Sequence, residues 1–498
     1  MKIVTLSVNL SKTIIRQTRL SPFLWGLLLL LTLGSCSINP VTGKRQPLVM
    51  SEEREVALGK QSDPQVVAAF GLYEDQKLQQ YINAEGQRMA AVSHRPDLKF
   101  TFRLLDSPVV NAFALPGGYV YFTRGIMAHF SNEAEFAGVL GHEIGHVTGR
   151  HGALQQRNQI LSQVGLIAGI VLSPEIASMA NEVAQGVQLL MLRNSREHES
   201  ESDKLGVEYS TAVGYDANQM ANFFQTISRL SGGASQQIPT FMSTHPNPLD
   251  RYDRVHRLAD KAQAESGKTN LEIGRESYLK MIDGLKYGED PRQGYVENNV
   301  FYHPELKFEF PVPRNWTVNN TPQQVQIVPK EGDGAMIFTF APGNTLREAG
   351  SQIVQQYQLT VEGQQDTRIN GFPALVIKSK QTNAQSGQSI DLLSTLIQDG
   401  QSIFVFHGIA TPQRYNGYRA TFERTMNGYA RLTDQSKINV QPERISVVTV
   451  SRGGTLESVL RANGISGDRI EEFSIVNGMK KNEQVPAGTM IKVLQRGR

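Results

Sequence analysis

The pattern of apolar and polar positions divides the chain into a mainly helical half and a strand-rich half. Between Ser51 and about Lys286, apolar residues recur mostly at helical spacing. Ser51 predicts a helix start, because its hydroxyl can cap free backbone amides and the two acids behind it suit the helix dipole. One short strand is predicted inside this region, at Gly118–Thr123 after Pro116-Gly117.

Farther along the chain the pattern predicts an α+β domain over residues 298–433. Asp399-Gly400 between two apolar runs is a strong hairpin signal, and helices are predicted from Thr345 to about Tyr357 and from Pro412 to Met426. The opening Phe308–Trp316 weakly resembles the PsbP-type fold, and the domain has no cluster of His, Asp or Glu. The predicted strands are Lys307–Phe310, Val325–Val328, Ala335–Phe340, Ala374–Ile377, Leu392–Ile397 and Ile403–Phe406.

A third unit is predicted over residues 443–498. The segments Ile445–Val450, Gly454–Leu460 and Val485–Val493 resemble a LysM domain, whose plan is strand–helix–helix–strand. The resemblance implies binding of peptidoglycan glycan or of envelope protein complexes. The usual Gly-Asp-Thr-Leu entry is Gly453-Gly454-Thr455-Leu456 here, so a structural or protein-docking module is an equal alternative.

The first residues are typical of an export signal. Basic residues precede the apolar run Phe23–Leu33, which is too short for a comfortable membrane span. The run ends in Leu33-Gly34-Ser35-Cys36, which resembles the bacterial lipobox. This implies that residues 1–35 are a lipoprotein signal peptide and that Cys36 is lipidated; an ordinary signal peptide is the alternative. Ser37, in place of an inner-membrane retention aspartate, favours the periplasmic face of the outer membrane.

Composition changes this picture in two ways. Cys36 is the one cysteine of the chain. It cannot form a disulfide within the chain, so in an exported protein its thiol needs another explanation. The net charge is +3 with no long basic run, which argues against nucleic acid as a partner.

The longest later apolar stretch, Val164–Leu172, stops at Ser173-Pro174. It predicts a buried helix, with a surface touching membrane or substrate as the alternative.

The candidate chemistry lies on a helix predicted to begin at Asn132, where Asn132 and Glu135 can form a capping pair. This helix continues into His142-Glu-Ile-Gly-His146. Two histidines four residues apart lie on one helix face and can share a metal ion. Glu143 beside them can act as general base toward a zinc-activated water. The alternative is a helix with two buried, hydrogen-bonded histidines.

A catalytic zinc commonly has three protein ligands and one open position. His151 nearly completes a metzincin pattern, but it stands one residue early, and Gly152 occupies the expected position. If the helix continues, His151 lies about 180° around the axis from His142. We therefore reject His151 as a ligand and expect it to hold the helix end or to pack on a neighbouring element.

The third ligand is suggested by a second segment. Ser195-Arg196, Glu199, Asp203 and Gly206 resemble the motif of the zinc endopeptidases of the HtpX and BepA type, to which CAAX prenyl proteases are distantly related. The resemblance implies that Glu199 is the third zinc ligand and that Asp203, four residues later on the same face, holds a ligand histidine. Ser202 stands where the family usually has alanine.

The resemblance covers roughly residues 39–259. It includes Asn111–Gly118, which predicts an exposed edge on which an unfolded peptide could add as a strand. Glu197 and Glu201 compete with Glu199 as acids of the second segment, and we assign both to a solvated helix face.

The resemblance also includes Thr244-His-Pro246 with Arg251, and it implies two further site residues. His245 either steadies the oxyanion of the reaction or occupies the open zinc position in a resting form; the alternative is that it caps a turn before Pro246. Arg251, a few residues later, is predicted to support the ligands from behind.

The predicted protein is multidomain. A mainly α zincin-type (gluzincin) peptidase domain with a small β edge, at residues 36–290, precedes the α+β domain and the LysM-like βααβ domain. The expected function is a Zn²⁺-dependent endopeptidase, lipid-anchored in the cell envelope, that hydrolyses misfolded or stalled proteins. The alternatives are an envelope chaperone or scaffold with a mostly closed zinc site and, from the LysM-like unit alone, cell-wall remodelling.

Overall fold

The computed structural model describes six parts of the chain: residues 36–47, 50–154, 194–230, 240–245, 248–382 and 389–495. The predicted signal segment and Val164–Leu172 lie outside them. Within the described parts, every helix is too short or too polar to cross a bilayer.

The region up to residue 287 is mainly helical, as its apolar spacing predicts. Ser51 caps the first long helix by accepting a hydrogen bond from the backbone amide of Arg54, which confirms the predicted start. The elements are β1 (Cys36–Ile38), β2 (Arg45–Pro47), α1 (Glu52–Phe70), α2 (Gln76–Ala90), β3 (Thr101–Leu105), β4 (Ala112–Leu115), β5 (Tyr119–Thr123), α3 (Arg124–His129), α4 (Glu133–Thr148), α5 (Arg196–Ala212), α6 (Asn218–Leu230), α7 (Thr240–Thr244), α8 (Pro248–Ser266), α9 (Arg275–Ile282) and β6 (Lys286–Tyr287).

A three-stranded sheet lies beside the helices, with strand order β3-β5-β4. β5 pairs with β3 in parallel and with β4 antiparallel. β4 is therefore an edge strand, and it lies within the Asn111–Gly118 segment for which an exposed edge was predicted, although most of its side chains are buried. The carbonyl of Val110, just before β4, accepts a hydrogen bond from the amide of Phe241 in α7.

The strand-rich region has one large sheet with a helix on each face. The sheet order is β10-β11-β12-β16-β15-β14-β13, and a second sheet has the order β17-β9-β8-β7. The elements are β7 (Tyr295–Glu297), β8 (Val300–His303), β9 (Phe308–Pro311), β10 (Trp316–Asn320), β11 (Gln324–Pro329), β12 (Gly334–Phe340), α10 (Leu346–Gln356), β13 (Thr360–Ile369), β14 (Phe372–Thr382), β15 (Ser389–Asp399), β16 (Ser402–Ala410), α11 (Pro412–Asn427), β17 (Ala430–Arg431) and α12 (Gln435–Ile438).

The hairpin predicted at Asp399-Gly400 joins β15 to β16, and Gly400 has the positive φ of 64° that such turns favour. The edge strand β13 was not predicted. Its side chains are exposed on both faces except at Ile369, so the sequence shows no alternation of apolar and polar positions there.

The last unit has the predicted order of strand, helix, helix and strand. Its elements are β18 (Glu443–Thr449), β19 (Gly454–Thr455), α13 (Leu456–Ala462), α14 (Ile470–Val476), β20 (Gln484–Val485) and β21 (Met490–Gln495). The strand predicted at Val485–Val493 is divided between β20 and β21, because Gly488 adopts a positive φ of 88° between them. β18 pairs with β21 on one side and with β6 on the other.

Candidate metal centre

Helix α4 begins at a buried cap that fixes its direction. The side chain of Asn132 accepts a hydrogen bond from the amide of Glu135 at 2.8 Å, as predicted. The carboxylate of Glu135 accepts from the amide of Ser131 at 2.7 Å, one residue earlier than in the usual reciprocal box. Every residue of α4 is buried, so the helix runs through the core.

Helices α4 and α5 approach so closely that a side chain at two glycine positions would crowd the backbone of the other helix. A Cβ at Gly206 would lie 3.0 Å from the backbone nitrogen of His142, and one at Gly141 would lie 3.0 Å from the Cα of Gly206. Real Cβ atoms rarely come so near to backbone atoms. This close packing places the acidic face of α5 directly beside the two histidines of α4.

Four buried side chains converge where these helices meet the end of α7. One nitrogen or oxygen atom from each of His142, His146, Glu199 and His245 lies within 4.8 Å of the others. The Nε2 atoms of the first two are 3.0 Å apart, and His146 Nε2 lies 3.4 Å from Glu199 Oε1. His245 Nδ1 lies 3.2 Å from His142 Nε2 and 3.0 Å from Glu199 Oε1.

The donor set fits a divalent metal such as zinc. His142 Nδ1 lies 3.1 Å from the carboxylate of Asp203, so the ring proton belongs on Nδ1 and Nε2 carries a lone pair. Burial, with a smaller effect of Arg251, lowers the pKa of His142 to about 4, and burial also lowers the pKa of His146. Two neutral rings with facing lone pairs 3.0 Å apart are favourable only when a cation lies between them. Two imidazoles and one carboxylate are a common zinc ligand set.

Glu143 lies beside the same centre and, among the described residues, makes no hydrogen bond there. Both of its carboxylate oxygens are buried. Burial raises the pKa of Glu143 to about 7. Burial alone would lower the pKa of His245, but the carboxylates of Glu199 and Glu143 outweigh it and raise this pKa. His245 Nε2 lies 3.6 Å from Glu143 Oε1.

Arg251 lies behind the ligands and contacts three of the groups around them. Its guanidinium donates to Asp203 and lies 3.0 Å from Glu199 Oε2 and 3.2 Å from His142 Nδ1. The guanidinium of Arg254 also pairs with Asp203. Burial alone would raise the pKa of Asp203, yet Arg251 and His142 lower it well below its usual range. Asp203 is therefore a permanent anion that holds the His142 ring.

The expectation that His151 packs on a neighbouring element is confirmed, whereas the assignment of Glu201 needs correction. Helix α4 ends at Thr148 and Arg150 has a left-handed φ of 58°, so His151 does not continue the helix, and its ring stacks on that of His198 in α5. Glu201 is not simply a solvated acid, because its carboxylate lies 3.0 Å from His151 Nε2. Neither residue belongs to the group of four.

The sequence also gave no signal for Arg254 or for Phe241, whose ring stacks on His245 with centroids 4.6 Å apart. Arg254 and Phe241 lie far along the chain from the His142–His146 motif, so the spacing of the motif does not indicate either contact.

Residues 76–259 match the sequence family described as Peptidase family M48. This stretch is a metalloprotease domain. Zinc is the metal of such domains, and the buried group of His142, His146, Glu199 and His245 lies inside the matched residues.

Named relatives match less than half of the chain. A Beta-barrel assembly-enhancing protease of Yersinia pestis is 33% identical over 231 residues, which are 45% of this chain and 47% of that protein. The Mitochondrial metalloendopeptidase OMA1 of Arabidopsis thaliana is 29% identical over 179 residues, which are 36% of this chain and 35% of that protein. The chain thus spans about half the length, or less, of these relatives.

Among solved structures, the PsbP protein of Synechocystis is similar over 28% of this chain and 91% of that protein, with 11% identity and a TM-score of 0.22. At that score the likeness carries no argument about fold or function, and the PsbP-type resemblance stays a prediction.

Proposed function

We propose that the protein is a zinc-dependent endopeptidase that hydrolyses peptide bonds of misfolded or stalled envelope proteins. The observation that carries the proposal is the buried convergence of His142, His146 and Glu199, with the carboxylate of Glu143 beside them and not hydrogen-bonded within the described residues. When bound there, zinc polarises a substrate carbonyl and acidifies water, which is the chemistry that peptide hydrolysis needs.

The protein residues have distinct parts in this reaction. The carboxylate of Glu143 accepts a proton from the attacking water and returns it to the leaving amine. Asp203 fixes the proton of His142 on Nδ1, and Arg251 holds the carboxylates of Glu199 and Asp203 in place. A substrate peptide adds to the free edge of β4, so that its backbone, more than its side chains, is recognised.

The substrate class rests on the edge strand and on the relatives. An edge that pairs with peptide backbone favours extended, unfolded segments, and the name of the Yersinia pestis relative concerns the assembly of β-barrels. A lipid anchor at Cys36 would hold the protein at the periplasmic face of the outer membrane. The LysM-like unit would add contact with peptidoglycan or with an envelope protein complex.

The first experiment compares Glu143→Gln with the wild type in casein cleavage and in zinc content. We expect loss of cleavage with about one zinc per chain retained, because the change removes the base but none of the ligands. Glu199→Ala should lower the zinc content. Wild-type cleavage by Glu143→Gln would contradict the mechanism, and unchanged zinc in Glu199→Ala would assign the third ligand to another acid.

A second function is favoured by the position of His245, whose Nδ1 lies within 3.2 Å of both His142 Nε2 and Glu199 Oε1. A fourth protein ligand closes the position that a catalytic zinc leaves open. The protein would then serve as a chaperone or scaffold whose zinc site is mostly closed.

His245→Ala separates the two functions. A blocking histidine predicts faster casein cleavage by the variant, and an oxyanion-binding histidine predicts slower cleavage with the same KM. Glu143→Gln combined with His245→Ala is the control that assigns any gain in cleavage to this site.

A further inference from the structure

A row of polar groups lies behind His146, on the side away from the metal position. His146 Nδ1 is 2.9 Å from His151 Nδ1, and His151 Nε2 is 3.0 Å from Glu201 Oε2. The turn that makes this possible follows Thr148, where Arg150 adopts its left-handed φ of 58°. His151 is 1% exposed, so water does not compete for its ring nitrogens.

Only one distribution of protons satisfies all three groups once His146 Nε2 faces a metal. His146 must then carry its proton on Nδ1 and donate it to His151 Nδ1. His151 must carry its own proton on Nε2 and donate it to the carboxylate of Glu201. The carboxylate at the surface end of the row thereby decides which nitrogen of His146 is free for the metal.

The ring of His151 is held in this orientation by helix α5. The ring of His198 stacks on it with centroids 4.2 Å apart and an angle of 8° between the planes. The hydroxyl of Ser202 lies 3.3 Å from His151 Nδ1. Ser202 stands at the motif position where alanine is usual. An alanine there would have no hydroxyl to make this contact. The helix that carries the ligand Glu199 therefore also orients the neighbour of the ligand His146.

We propose that His151, together with Glu201, is a positioning residue that fixes the tautomer and ring orientation of the zinc ligand His146. Asp203 does the same for His142 from the other side, so each ligand histidine has its own carboxylate, one directly and one through a second imidazole. This inference rests on the proposed zinc site.

The test uses the full chain and four variants, with His146→Ala and Glu199→Ala as references for loss of the zinc site. His151→Phe keeps a ring for stacking but removes the acceptor. His151→Asn keeps an acceptor near the Nδ1 position and loses the link to Glu201. Glu201→Gln keeps the hydrogen bond but removes the charge, and Glu197→Gln changes an exposed acid of the same helix as a matched control. Zn²⁺ affinity is measured by chelator competition, and the Co²⁺-loaded proteins are compared by visible absorption.

We expect His151→Phe to weaken Zn²⁺ binding by about 10- to 100-fold and to alter the Co²⁺ absorption bands. His151→Asn should restore most of the affinity, Glu201→Gln should show a smaller loss, and Glu197→Gln should match the wild type. Thermal unfolding of the zinc-free proteins shows whether a variant still folds. A merely structural role would lower that stability without changing the Co²⁺ bands.

The inference is overturned if His151→Phe binds Zn²⁺ as the wild type does while His146→Ala loses it. If His151→Phe does not fold, Glu201→Gln decides: wild-type affinity with wild-type Co²⁺ bands overturns the inference, and a shift in either supports it. Retention of zinc by both His146→Ala and Glu199→Ala would instead contradict the proposed function, so the two failures differ.

Discussion

The two units that follow the metalloprotease domain relate to it in opposite ways. The strand-rich unit comes first along the chain, and its two apolar clusters are drawn wholly from residues 301–429. The last unit is farther away in sequence, yet its apolar side chains belong to the same cluster as those around α4. Distance along the chain therefore does not decide which unit packs against the candidate metal centre.

The contacts of the last unit with the start of α4 are specific. Lys492 of β21 is fully buried, and its ammonium donates to the carbonyls of Ala128 at 2.9 Å and Phe130 at 2.7 Å. The side-chain amide of Asn477 donates to the carbonyl of Lys492 and accepts from its backbone amide, and the hydroxyl of Ser131 donates to the carbonyl of Asn477. The residues just before the metal-binding helix are thus held by the end of the chain.

The largest expected effect comes from ending the chain after Pro442. This removes β18, the partner of β6. It also removes fully buried side chains such as Ile445 and Phe473, and it exposes to water the apolar residues that they contact. Since each large buried side chain contributes about 1.5–3 kcal/mol, the loss should exceed the whole stability of a typical domain. We expect insoluble or zinc-free protein, measured by soluble yield and metal content.

A chain ending at Gln495 is the control and should behave like the full chain. If the protein ending at Pro442 binds zinc and unfolds at the wild-type temperature, the last unit is not part of the core.

A smaller effect is expected from Lys492→Met. The variant keeps the apolar stem but leaves the carbonyls of Ala128 and Phe130 buried without their donor, which costs about 1–3 kcal/mol. Chemical denaturation should show a lower midpoint with an unchanged slope. Lys481→Met, at an exposed lysine of the same unit, is the matched control. Equal midpoints for the two variants would mean that the buried ammonium does not stabilise the interface.

The parts of the site that depend on local spacing were predictable. His142 and His146 are four residues apart on one helix, so this pair needs only helical geometry. Glu199 and Asp203 are also four apart, but the resemblance was needed to prefer Glu199 over Glu197 and Glu201. The assignment of His245 as a neighbour of the metal came from the resemblance. Whether it binds the oxyanion or occupies the open zinc position depends on the atoms around it, which the sequence does not show.

Other features were not predictable, because they depend on a single backbone angle or on distant chain segments. Helical geometry could not place the ring of His151, because helix α4 ends at Thr148 and Arg150 has a left-handed φ. Lys492 lies in a strand whose sequence gives no reason to bury a lysine, and its partners are more than 360 residues away. Strand β13 is polar on both faces, so periodicity could not find it.

The smallest effect is expected from replacing residues 298–433 with a short Gly/Ser linker. The ends of this segment are brought near each other by the pairing of Lys286 with Arg444 and of Tyr287 with Glu443, so a flexible linker can span the gap. Because the removed residues have their own cores, the remaining protein should keep its zinc content, and its unfolding temperature should change by only a few °C, as for a change of about 1 kcal/mol or less.

The decisive control repeats Lys492→Met in the shortened chain. The midpoint should fall by the same amount as in the full chain, because the contacts at Ala128 and Phe130 are unaltered. If the shortened protein loses zinc, or if Lys492→Met no longer destabilises it, the strand-rich unit supports the metal centre as well, and the contrast between the two units fails.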